Sequence, residues 1–379
     1  MMLMLLLLAA VAQDTASVPR FTAEALGQVD SIASAEFKKD TLGSLTIGVV
    51  AGPSLVWAKS YGYSDSAHTR AATPQTVYRI ASVTKQITAV MLLQLVERKQ
   101  VQLSDPVEKY FPEIRLVRAP APASTMPTLV QLATMTSGLA RDPADQRKSQ
   151  SGPPSQWLQI LRSALPHTEF ANAPGVTYRY SNVGYAILAA ALTRAANDDY
   201  VSYVRRRILV PLGMTATDFE LTPLLRTRLA TGVDFDVLYK DTLNYGDAAL
   251  DNQNGLGIGL GSGGAYSTVG DVAKLVSLQL GFGPDSVVTR QTLSLRDQIP
   301  VAGNMTLDYG YGLGVQVWRW ADTVATGHSG NLAGYTSMVV YDRQRGFGVI
   351  VLRSAAGGEG DAGRLGVRAF RKLLSMLSP

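Results

Sequence analysis

Cysteine is absent from the 379-residue sequence, which removes a disulfide framework, a thiolate nucleophile and any cysteine-ligated metal. Histidine is nearly absent: His68, His167 and His328 are the three available, too scattered for a metal cluster and a thin supply for a histidine-based triad. No metal and no cofactor is therefore expected. No Gly-x-Ser-x-Gly occurs, since Gly327-His328-Ser329-Gly330 is followed by Asn331, so the nucleophile elbow of an α/β-hydrolase is not expected. Charge is sparse, at 17% of residues against roughly 25% in an average soluble domain. The densest basic runs, Arg205-Arg206-Arg207 and Arg364 to Lys372, are short and read as solvated helix faces despite the net charge of +5, so no nucleic-acid partner is expected. No apolar run reaches the about 20 residues that span a bilayer, and no transmembrane helix is expected. The longest, Met1 to Ala12, precedes polar Gln13 and Asp14 and ends in the small-residue pattern Ala10-Val11-Ala12. It reads as a signal peptide without the usual basic start, and so predicts an exported protein, periplasmic or secreted.

What is present is a chain with 46% hydrophobic residues, 35 glycines and 18 prolines, long enough for a sizeable core and rich in tight turns. The mixed pattern from Phe21 to Lys39 predicts an amphipathic helix. The β-rich runs Ser44 to Val50 and Ser54 to Tyr63, joined by Ala51-Gly52-Pro53, predict a hairpin. From Ser82 to Arg98 apolar residues occur on nearly every side, which predicts a buried helix. The stretch 82–308 reads as a mostly helical insertion, with runs such as Val183 to Ala196 and Val272 to Leu280. Strands return at Leu313 to Trp320, Tyr335 to Asp342 and Phe347 to Leu352, and a last helix is predicted from Ala362 to Leu377. The expected fold class is α+β: one antiparallel sheet built from both chain ends (21–81 and 309–379), terminal helices on its face, and the helical subdomain inserted between them.

Three short patterns carry chemistry. Ser82-Val83-Thr84-Lys85 is the one Ser-x-x-Lys in the chain and opens the buried helix. Residues i and i+3 share a helix face, so Lys85 points back at Ser82, and an amine desolvated in an apolar helix loses basicity and can exchange protons near neutral pH. The bland alternative is a serine cap with a snorkelling lysine. Tyr180-Ser181-Asn182 is the one Tyr-x-Asn; in an extended segment positions i and i+2 face the same way, so Tyr180 can pass protons beside an amide-holding Asn182, or else be a buried tyrosine next to an asparagine cap. His328-Ser329-Gly330, placed just before the strand that begins near Tyr335, offers an imidazole, a hydroxyl and an open strand edge, or only a turn with a surface histidine. The Gly-rich run Gly255 to Gly264 contains a formal Gly-x-Gly-x-x-Gly, yet without a preceding strand or acidic partner it reads as a flexible loop and not a nucleotide site.

The three patterns in this order resemble the serine β-lactamase and penicillin-binding superfamily, and the tyrosine-type second motif is similar to class C β-lactamases, D-alanyl-D-alanine carboxypeptidases and related esterases and aminopeptidases. Further stretches share the resemblance: LATMTSGL (132–139), PGVTYRYSNVGY (174–185), PLGMTAT (211–217), GGAYSTVGD (263–271) and GHSGNLAGY (327–335). It implies Ser82 as acylated nucleophile, Lys85 as its partner and Tyr180 as general base and leaving-group acid. Asn182, His328, Ser329 and Gly330 would contact substrate, and the backbone N–H groups of Ser82 and Asn331 would form the oxyanion hole. Three departures bear on the substrate: His328 stands where β-lactamases of this type carry lysine, Met135 where a histidine is frequent, and Arg353-Ser354 where an asparagine commonly follows the strand. They favour a D-peptidase or esterase over an efficient β-lactamase. The expected partner is a small-molecule or peptide substrate with an amide or ester carbonyl; a penicillin-binding or sensor-type protein, acylated without turnover, is the alternative. Specificity is expected in the loops 141–154 and 234–264, and oligomeric state is not readable.

Overall fold

The computed structural model describes residues 18–119, 126–145, 152–236, 241–245, 256–298, 302–303, 308–320 and 322–377. The expected signal peptide at 1–12 and parts of the two expected specificity loops lie outside these. The central feature is an eight-stranded antiparallel sheet assembled from both ends of the chain: β1 (Ser44–Ala51), β2 (Ser54–Gly62), β3 (Ala302–Gly303), β4 (Tyr309–Tyr311), β5 (Gln316–Trp320), β6 (Thr323–Leu332), β7 (Tyr335–Asp342) and β8 (Phe347–Arg353), in the order β2-β1-β8-β7-β6-β5-β4-β3.

Period-two alternation in the three central strands sorts side chains to two cores. Leu45, Ile47 and Val49 of β1, Met338 and Val340 of β7, and Val349 and Val351 of β8 face one side, where they pack with Ala25, Val29 and Ala33 of α1 (Ala23–Phe37) and Leu365, Ala369 and Phe370 of the C-terminal helix (Ala362–Met376). Val50, Val339, Tyr341, Ile350 and Leu352 face the other side and join a larger core with α2 (Thr84–Glu97), α3 (Asn182–Ala196) and α4 (Val269–Gln279); the C-terminal helix is then α5. Gly48 lets α4 press on β1, since a Cβ there would lie 2.6 Å from Val269 Cγ2. The expected α+β architecture, with both termini in one sheet and the terminal helices on its face, is the one observed. Among the described residues, no helix is long and apolar enough to cross a membrane.

The structure extends the sequence reading at two places and corrects it at a third. His328-Ser329-Gly330 does precede the strand at Tyr335, but it also lies inside the ten-residue β6, whose glycines and polar residues hide hydrophobic alternation. Within the inserted region, expected to be mostly helical, there are also short strands: Tyr266–Ser267 pairs with Tyr78–Arg79, and Gly232–Asp236 pairs with both Asp241–Tyr245 and Ala355–Ala356. The described part of the Gly-rich run is no flexible loop. Gly257–Gly259 and Leu260–Gly263 form buried helical turns, and Gly261 sits where a Cβ would come within 2.6 Å of the Ala189 methyl in α3, so these glycines serve close packing.

Candidate active site

Ser82 lies in a single 3₁₀ turn, Ala81–Val83, that leads into α2, and no side chain caps either start, so the serine is not a helix cap. Ala81 holds φ at +48°, a left-handed conformation unfavourable for a residue with a Cβ. Neighbours hold the turn in place: Ile80 N donates to Ala265 O at 3.0 Å, and the Ser337 hydroxyl of β7 donates to Ile80 O at 2.9 Å. Gly330 of β6 lies against the same turn, where a Cβ would meet Ile80 O at 2.7 Å and Ala81 Cβ at 2.9 Å. Glycine is thus required for the sheet to approach the Ser82 turn this closely.

Lys85 sits one helical turn inside and is fully buried. Its Nζ donates to Ser82 Oγ at 3.1 Å, to Asn182 Oδ1 at 2.9 Å and to the Ser262 carbonyl at 2.7 Å. None of these acceptors is a carboxylate. Burial, then the nearby Arg141 charge, hold the amine well below its ordinary pKa, with Asp142 opposing. The Tyr180 ring centroid lies 5.0 Å from Lys85 Nζ, and burial raises the pKa of its hydroxyl against the opposing effects of the nearby Ser82 side chain and Arg141. The serine oxygen therefore has the Lys85 amine in hydrogen-bond contact and the Tyr180 side chain nearby.

The second motif reaches this point by capping chemistry. Ser181, not Asn182, caps α3, its Oγ accepting Gly184 N at 2.9 Å, and its extended backbone turns Tyr180 and Asn182 toward the same place. Asn182 is fixed at both amide atoms, since its Nδ2 also donates to Asp142 Oδ1 at 3.0 Å. Met135 stands behind the segment: Ser181 N donates to its sulfur at 3.2 Å, and its carbonyl accepts Arg179 N at 2.7 Å.

β6 supplies the opposite wall. It pairs with β7 through Leu332 but with β5 only as far as Gly327, so its edge is open from His328 onward. Ser329 N donates to Gln316 Oε1 at 2.7 Å, away from β7; strand periodicity directs the N–H of Asn331 to the same open side. Asn331 and Ser82 line two adjoining clefts, of 260 Å³ beside Asn182, Ser262 and Leu256 and of 400 Å³ beside Tyr180, Ser329 and Thr336. His328 is not a surface residue. It is buried, its Nδ1–H donates to the Ser329 carbonyl at 2.6 Å, and its Nε2 therefore accepts from Tyr311 Oη at 2.8 Å. Burial and then the Lys85 charge push its pKa down to about 3, so the imidazole is neutral.

Ser82, Lys85, Tyr180, Asn182, Ser329, Gly330 and Asn331 thus converge on one place, with His328 beneath them. Sequence reasoning missed Arg141, Asp142, Tyr311 and the Ser262 carbonyl. The first two lie just past the LATMTSGL stretch, after Ala140, at the head of the loop where specificity is expected; a backbone acceptor such as Ser262 O leaves no signal.

Comparison with known proteins adds the following. A family model described as beta-lactamase matches residues 29–372. A human protein described as beta-lactamase-like 1 is 30% identical over 268 residues, 69% of this chain but 51% of its own length, so this chain spans about half of that relative. Two solved structures share the fold: the octameric penicillin-binding protein homologue from Pyrococcus abyssi (TM-score 0.76, 22% identity, 92% of this chain and 77% of that one) and a D-stereospecific amidohydrolase from Streptomyces (TM-score 0.71, 21% identity, 94% and 98%).

Proposed function

The chain belongs to the beta-lactamase family, and on that premise we propose that it is a serine hydrolase that cleaves an amide or ester through an acyl-enzyme on Ser82. The observation that carries this reading is the convergence on one hydroxyl: the buried Lys85 Nζ donates to Ser82 Oγ at 3.1 Å, and the Tyr180 ring, 5.0 Å from the same Nζ, lines the larger cleft with Ser82. The proton leaves Ser82 as its oxygen attacks the carbonyl carbon; the Lys85–Tyr180 pair takes it up and returns it to the leaving amine or alcohol. Water then attacks the acyl-enzyme by the same route in reverse. The N–H groups of Ser82 and Asn331 stabilise the oxyanion, each such donor contributing about 3 kcal/mol when aimed at developing charge.

The neutral His328 supports a D-peptidase or esterase over an efficient β-lactamase, because no cation stands at that position to hold a drug's carboxylate. With the apolar leader at 1–12, the proposal includes export. The test is p-nitrophenyl ester hydrolysis by wild type and Ser82→Ala. A burst and turnover in wild type that vanish in a folded Ser82→Ala variant are expected; turnover at the wild-type rate in that variant would defeat the proposal. A stable adduct by intact mass without released product would instead favour a penicillin-binding or sensor-type protein.

A further inference from the structure

The site has a neutral imidazole where a cation was to be expected, yet it does not lack positive charge. Arg141 lines both clefts beside Ser82. Its guanidinium carbon lies 4.8 Å from the centroid of the Tyr180 ring, and its Nε is 3.4 Å from Asp142 Oδ2. The side chain is 64% exposed, but its backbone is tied to the second motif: the Arg141 carbonyl accepts Asn182 N at 2.8 Å, and the Ala140 carbonyl accepts Ser181 Oγ at 2.7 Å. The cation is thus delivered by the same hydrogen bonds that present Tyr180 and Asn182.

We propose that Arg141 is a positioning residue for this reaction: stacked on the Tyr180 ring, it supplies the positive charge that stabilises the tyrosine oxygen while Tyr180 exchanges its proton with Ser82. This rests on the serine-hydrolase reading above.

The other groups around Tyr180 do not supply that charge in the same way. Lys85 faces it from α2 and cycles its own proton; Tyr309 and Tyr311 face it from β4, Tyr178 from its own segment, Tyr185 from α3 and the neutral His328 from β6. Asp142 opposes Arg141, with Oδ2 3.4 Å from its Nε while Oδ1 accepts the Asn182 amide at 3.0 Å. Arg141 also lowers the pKa of Lys85, so a single exposed residue biases both proton carriers in one direction.

The experiment measures, against pH, the rate at which a fluorophosphonate labels Ser82 by intact mass, together with kcat and KM for a neutral p-nitrophenyl ester, in wild type, Arg141→Gln and Arg141→Lys. Removing the cation raises both pKa values, so the acidic limb of labelling and of kcat/KM moves to higher pH in Arg141→Gln, by about half a unit, and kcat falls about fivefold with KM little changed. Arg141→Lys recovers part of the shift, and added salt moves the wild-type limb but not that of Arg141→Gln. Unchanged limbs with a raised KM would overturn the proposal and make Arg141 a substrate-reading group; unchanged limbs and unchanged constants would overturn it outright. Failure of the wild type to label at Ser82 would instead overturn the functional reading beneath it.

Discussion

Two charged groups in this molecule are equally buried and meet opposite fates. Lys85 in α2 and Glu36 in α1 are both fully inaccessible to solvent. Lys85 is held by a hydroxyl, an amide oxygen and a carbonyl, and its charged form is disfavoured. Burial acts on Glu36 in the same sense, but Lys39, Arg364 and the Asp361 N–H outweigh it and keep the carboxyl below its ordinary range, with Arg368 also at 3.4 Å. The neighbouring pair follows the same rule: Arg353, 2% exposed, meets Asp40 at 2.7 and 2.8 Å and also donates to the Gly360 carbonyl. Burial alone does not decide whether a charge serves chemistry or cohesion; the charge of its partners does. Around Ser82 the partners are dipoles, which leave the charge without a counter-ion in contact. Where the chain's two ends meet they are full opposite charges, which fix it.

The sharpest way to break that contrast is Lys85→Met. Removing the amine takes away a proton carrier and lowers kcat/KM for a p-nitrophenyl ester by about a thousandfold or more, while thermal melting stays unchanged or rises because a costly buried amine has been replaced by an apolar side chain of similar length. A large loss of melting temperature would mean that Lys85 is structural like Glu36. The converse variant is Arg353→Met, which leaves Asp40 and the Gly360 carbonyl without their buried donor. It costs about 3 kcal/mol in urea unfolding. Its kinetic effect falls on KM, because Asp361, Ala362 and Gly363, just beyond Gly360, line the larger cleft. A drop in kcat without a stability change would put Arg353 in the chemistry instead.

The same contrast explains what the sequence disclosed. Strand alternation in β1, β7 and β8, the all-round apolarity of α2 and the Ser82–Lys85 spacing are local, and local periodicity is legible. The family resemblance placed Asn331 opposite Ser82, but the openness of β6 from His328 follows from where β5 stops pairing, a long-range fact. The neutrality of His328 depends on Tyr311 and the Ser329 carbonyl, and the role of Met135 depends on an N–H from Ser181. The Glu36 cluster was invisible for the same reason: its arginines are over 300 positions away, and on the sequence they read as the solvated face of a terminal helix.

The finest test of the comparison is the pH dependence of Glu36→Gln. Glutamine keeps an oxygen that can accept from Arg364 and from Asp361 N–H, so the variant removes charge and little else. Because the folded-state pKa of Glu36 lies below the ordinary glutamate value of 4.5, its contribution is fully present above about pH 4.5 and is lost as pH falls through the folded value. Wild type is therefore more stable than Glu36→Gln near neutrality, by about 1 kcal/mol given that the Arg364 and Arg368 side chains are about half exposed and screened. The two melting curves converge as the buffer is taken below pH 4.5, whereas the kinetic constants of the variant at neutral pH match wild type. Lys85 has the opposite sign: its depressed pKa makes the charged form a liability, so the wild type gains stability as pH rises toward the ordinary lysine range. A melting difference for Glu36→Gln that persisted unchanged to low pH would show that the carboxylate's charge is not what joins the two ends of the chain.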